Sequence, residues 1–139
     1  MGDNQVGLIP GHGRAVARFA DAMLRSLGGT QVTLRIADPA SGSSNSQLGL
    51  EAPEAEDLQI SPAMIKPLAP AEGGRRRIEV VVSAHSLRTL AKSYGVQDIV
   101  AWLLEAQGVL QRDQILRIAD VTVERYLDTD CLYHLTATE

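Results

Sequence analysis

The residues of this 139-residue chain with the most chemical potential are three histidines, one cysteine, two close aspartates and three consecutive arginines. His12, His85 and His134 stand far apart, and none has a second histidine, a cysteine or a carboxylate at ligand spacing. No metal site is expected from them. His134 sits in an alternating stretch, on the same side as Leu132 and opposite Tyr133 and Leu135, as an edge or hydrogen-bonded histidine would. Cys131 lies among Leu132, Tyr133 and Leu135 and reads as a small buried hydrophobe; a lone cysteine also excludes an internal disulfide. Asp128-Thr129-Asp130 lacks the glycine and glutamate of a calcium loop and reads as a turn. Gly11-His12-Gly13-Arg14 is not followed by Lys-Ser/Thr, and Ser41–Ser46 fall in no Gly-x-Ser-x-Gly frame. No nucleophile, base and orienting group occur together, so the chain is expected not to be an enzyme and to carry no cofactor.

Arg75, Arg76 and Arg77 end the turn Glu72-Gly73-Gly74. The plain expectation is a solvated loop. The sharper one is contact with phosphate or with an acidic neighbour, although no aromatic residues interleave. The net charge of −4 argues against broad attraction to nucleic acid, which depends on Lys and Arg neutralising phosphates. Trp102, the only tryptophan, lies near the edge of a wide apolar helical face and joins the arginines as a candidate interaction residue.

Those residues need elements to hold them. Residues 1–13 are Gly-rich and polar and are expected to form a flexible arm ahead of a single domain, residues 14–139. From Arg14 to Leu27 the spacing predicts a helix, closed by Gly28-Gly29. Its face of Ala15, Phe19, Ala22, Met23 and Leu27 packs either on its own domain or on a neighbouring subunit. Thr30–Ile36 alternates as a half-buried strand, and residues 38–46, with nothing to bury, are expected to be a mobile loop. A short strand over Gln47–Leu50 and the acidic segment Glu51–Asp57 precede Leu58–Ile60, a strand expected to stop at Ser61-Pro62. Met64, Ile65 and Leu68 then read as an irregular crossing segment.

Ile78–Val82 is the most apolar strand and is expected to be central. Ser83 is a candidate N-cap for a helix closed by Gly95, and a second helix is predicted over Val96–Gln107. The chain ends in an expected meander: Gln114–Ile118, Val121–Tyr126 and Cys131–Ala137, separated at Ala119-Asp120 and Asp128–Asp130. The fold class is α+β, a small antiparallel β-barrel or sandwich with an N-terminal helix and an inserted helical pair. No apolar run reaches the length of a membrane span and no secretory signal is visible, so a soluble, cytoplasmic protein is expected.

The order of elements, with Phe19–Ile36 and Leu110–Ala137 carrying the match, resembles the small head–tail joining (connector or closure) proteins of tailed bacteriophages. Helix, Gly28-Gly29-Thr30, alternating strand and long polar loop occupy the places seen in that family. So do Arg112-Asp113, Leu116–Ile118, Val121–Arg125, Asp128–Asp130 and Tyr133 in the terminal meander. The resemblance implies a structural, non-enzymatic subunit that self-associates into a ring between portal and tail subunits, located in the host cytoplasm and in the virion. Nucleic acid enters that picture only as phage DNA in passage. A nucleic-acid-binding barrel using Arg75–Arg77, or a hydrolase or ligand-binding domain with an unrecognised site, are the alternatives.

Overall fold

The computed structural model describes residues 12–37 and 55–139. The arm up to residue 11, the loop at 38–46, the strand at 47–50 and the first part of the acidic segment lie outside them. In chain order the elements are α1 (His12–Ser26), β1 (Thr30–Ala37), β2 (Ala55–Leu68), a 3-10 turn (Glu72–Gly74), β3 (Arg77–Ser83), α2 (Ala84–Ser93), α3 (Ile99–Glu105), β4 (Gly108–Gln111), β5 (Gln114–Tyr126) and β6 (Thr129–Thr138).

The six strands close into an antiparallel barrel in the order β1-β2-β3-β6-β5-β4, so the α+β small-barrel expectation holds and the sandwich is excluded. Alternation fills its interior. Val32, Leu34 and Ile36 from β1, Ile78, Val80 and Val82 from β3, and Tyr133, Leu135 and Ala137 from β6 all point inward and are buried. Each large apolar side chain buried this way contributes about 1.5–3 kcal/mol. β3 lies between β2 and β6, the central place expected of the most apolar strand.

Several boundaries differ from expectation, beginning with α1, which takes in His12 and Gly13 from the expected arm. β2 does not stop at Pro62: its first half pairs with β1 and its second half, from Ala63, with β3. The proline falls at the change of partner, where the register with β1 slips between Thr30 and Val32, so its missing N–H breaks no regular ladder. Met64–Leu68 are therefore strand, not an irregular crossing. In the meander, Ala119-Asp120 is not a reversal. β5 runs through it with a bulge between Ile118 and Asp120. The reversals are two-residue hairpins at Arg112-Asp113 and Leu127-Asp128, all four residues at positive φ. Finally, α3 starts only at Ile99, because Gly95 takes a φ of 70° and Asp98 caps the helix by accepting from the Ala101 N–H at 3.1 Å.

The helices cover one side and one end of the barrel. Ser83, fully buried, caps α2 by accepting from the Ser86 N–H at 3.4 Å. α2 sends Leu87 and Ala91 into the core, and α3 sends Trp102 and Leu103. Among the described residues, β4 closes the wall through three pairs with each neighbour, and beyond Leu116 β5 pairs with β6 alone while α3 packs against it. Among the described residues, no helix is long and apolar enough to cross a membrane.

Candidate functional site

The three arginines expected to act together are separated by their backbone. Arg75 stays exposed beside the 3-10 turn and donates from Nε to the Glu72 carbonyl at 3.3 Å. Arg76 turns to the Gln111 side-chain oxygen, and its backbone N–H donates to Glu139 Oε1 at 3.2 Å. Arg77 already belongs to β3 and donates to the Ala69 carbonyl at 3.4 Å. Arg76 and Arg77 border, with Arg112 and Gln111, a cleft of about 360 Å³ over Ile65 and Leu68. Trp102 is not at an exposed edge. It is 9% exposed and its ring tilts against Tyr94 with centroids 5.9 Å apart, part of the packing under α2 and α3.

The histidines stay apart, as their spacing implies. His134 lies on the outer wall, with Nδ1 3.5 Å from Glu79 and Nε2 2.5 Å from Glu124, and Lys66 extends the row 3.7 Å from Glu79. These charges cross four neighbouring strands, β2, β3, β6 and β5, and tie the wall together. Burial pushes the Cys131 thiol up, which suits a packing role. Among the described residues, no group of three or more His, Cys, Asp or Glu is placed to hold a metal ion.

Two other surfaces stand out instead, one named in the sequence with its destination open and one that the sequence did not reveal. The first is the outer face of α1. The helix buries Gly13, Ala17, Asp21 and Leu24 and leaves Phe19, Met23 and Leu27 exposed at 62%, 44% and 64%. The apolar row with two alternative destinations in the sequence is thus not packed on its own barrel. Small residues face inward because the helix lies close: a Cβ on Gly13 would stand 1.8 Å from Thr129 Oγ1. Asp21 fastens the helix to α2, accepting from Ser86 Oγ at 2.7 Å and from Arg25 Nε at 3.0 Å. Burial works against its charge, but hydrogen bonds from Ser86, Ser83 and Arg25 outweigh it and hold the carboxyl below its ordinary value.

The second surface is a two-lobed groove between α1, α2 and the β5–β6 hairpin. One lobe, about 720 Å³, is lined by Arg14 and Arg18 from α1, Arg88 and Lys92 from α2, and Arg125 from β5, against Asp128 and Asp130. The other, about 980 Å³, shares Arg88, Lys92, Arg125 and Asp130 and continues over Val96, Ile99, Val100 and Val123. Asp130 is already committed: Arg125 Nε donates to it at 2.7 Å and the Tyr133 hydroxyl at 2.9 Å. Burial opposes its charge, yet those two hydrogen bonds keep its carboxyl below the usual range. Burial, with the neighbouring carboxylate, pushes the Tyr133 hydroxyl far up, so it remains a donor. The available signal was the i, i+4 spacing of Arg14 with Arg18 and of Arg88 with Lys92. Only the tertiary fold turns those two flanks towards each other.

Comparison of the chain with family models, with curated proteins and with solved structures returns no match.

Proposed function

We propose that the chain is a structural subunit of a bacteriophage or prophage head–tail connector, assembling with copies of itself into a ring between portal and tail. One observation carries the reading: the exposed apolar row Phe19, Met23 and Leu27 on α1, beside a barrel whose interior is otherwise well filled. Covering such a row contributes about 1.5–3 kcal/mol per fully buried side chain, enough to drive a lateral contact repeated around a ring. The occupant we assign is the next copy, because a head-to-tail contact between identical subunits closes into a ring when its rotation permits. The sequence resemblance adds the place, between portal and tail subunits and so in the virion as well as the host cytoplasm. The groove and the outer charge row then face other partners, and the barrel acts as the rigid body that presents them.

Light scattering on the purified chain, alone and with portal subunits, tests this. The expected result is a closed oligomer, alone or on meeting portal, that Phe19→Asp reduces to a monomer. A monomer at every concentration, with no binding to portal or tail subunits, overturns it.

A further inference from the structure

We infer that the groove between α1, α2 and the β5–β6 hairpin binds the phosphate backbone of a single-stranded nucleic acid. The inference stands on the groove alone and does not require the ring.

Charge is the first argument. The chain is net negative, yet five cationic side chains from three elements line one lobe against two carboxylates. One of those carboxylates, Asp130, is taken up by Arg125 at 2.7 Å. Arg14, Arg18 and Lys92 have no carboxylate partner among the described residues, and all three are exposed. Like charges gathered without counter-ions repel one another and destabilise the compact state, and an anionic ligand relieves that repulsion. The groove is also held firmly: Arg88 donates to the Asp130 carbonyl at 3.3 Å, Tyr133 fixes the carboxylate, and Asp21 locks α1 to α2. Arg88, Arg125 and the two helices that carry the other cations are therefore in place before any ligand arrives.

Shape is the second argument. All five cations line the first lobe, from Arg14 and Arg18 on α1 across to Arg88, Lys92 and Arg125 where the second lobe joins it, which suits several phosphates in a row better than a single ion. The second lobe continues from Arg88 and Lys92 over the partly buried Val96, Ile99, Val100 and Val123, with one carboxylate, Asp98, also in its lining. A chain of carboxylates would leave the valines and Ile99 unused. A single strand can set its phosphates on the cations and bring its bases into apolar contact with those aliphatic side chains, whereas a duplex keeps its base faces stacked inside.

Fluorescence anisotropy of a labelled oligothymidylate with the full chain tests the inference. With about three phosphates neutralised, affinity should fall roughly 20-fold between about 50 and about 200 mM salt. Arg14→Ala/Arg18→Ala/Lys92→Ala should weaken binding about tenfold or more, and Lys92→Glu alone should weaken it in the same direction should the triple variant not fold. Arg77→Ala/Arg112→Ala, at the separate cleft near β4, should stay within about twofold. The inference is overturned by no salt-sensitive binding, by equal loss in the Arg77/Arg112 variant, or by polyglutamate displacing the oligonucleotide as well, charge for charge, as unlabelled oligothymidylate does. Oligomer state, read separately by light scattering, distinguishes failure here from failure of the ring.

Discussion

The two faces of α1 invert the usual arrangement of a surface helix. Inward lie a glycine, an alanine, an aspartate and one leucine; outward lie a phenylalanine and a methionine, with a leucine just past the helix end. On an ordinary surface helix the large apolar side chains face the core. Here the inner face is selected for closeness, with small residues and one buried carboxylate that bonds across to α2, and the outer face carries the apolar area. Substitutions on the inner face should therefore cost stability, and those on the outer face should cost association.

Gly13→Val should have the largest effect, about 3 kcal/mol lost in chemical denaturation, because even the first added carbon meets both Thr129 Oγ1 and Cβ. The sign is informative, since a glycine replaced inside an unconstrained helix normally gains up to about 1 kcal/mol. Adding Thr129→Gly should recover part of the loss; no recovery would place the constraint elsewhere. Asp21→Ala should follow at about 2 kcal/mol, leaving the Ser86 hydroxyl and the Arg25 guanidinium without their acceptor. A smaller loss, within the range of an ordinary surface change, would show that α1 is held by packing alone.

The same inversion marks how far the sequence could be read. Alternation locates β1, and apolar density β3, to within a residue or so, because a strand buried on one side has a period of two that no other element imitates. The helical period likewise finds α1 but cannot say which stripe faces home, and hydrophobicity alone points to the wrong one. Turn chemistry fails in a different way. The reversal at Leu127-Asp128 falls one residue ahead of the turn expected at Asp128–Asp130, and Arg112-Asp113 takes positive φ without a glycine or asparagine to mark it, while the polar bulge at Ala119-Asp120 imitates a reversal. The run Arg75–Arg77 attracts notice because it is contiguous, but a strand start and local carbonyls divide it. The groove cations come from residues 14, 18, 88, 92 and 125, and only the packing of α1 against α2 and the hairpin brings them together.

Acid sharpens the comparison with less force than truncation. The Asp21 carboxyl is held below its ordinary value of 3.8 in the fold, so the native state binds fewer protons there than the unfolded chain. Its contribution is complete above that ordinary value and is lost as pH falls through the lower folded one. Stability should therefore decline on acidification below about pH 4, and Asp21→Asn should make that decline shallower. The decline should not vanish, because Asp130 and Asp57, each paired to an arginine, are lowered in the same sense. An unchanged acid slope in Asp21→Asn would mean that Asp21 does not carry its charge at the helix contact.

The outer face should give the smallest change in the stability of one subunit and the clearest change in its company. Phe19→Ser and Leu27→Ser remove apolar area already in water, so each should move monomer stability by no more than about 0.5 kcal/mol. If the row is the lateral contact, the same substitutions should shift sedimentation from oligomer towards monomer, and combining them should do so more completely. An oligomer that survives both would assign the contact to another surface. The side of β5 beyond Leu116 is then next in line, since among the described residues its backbone groups there meet no second strand of the barrel.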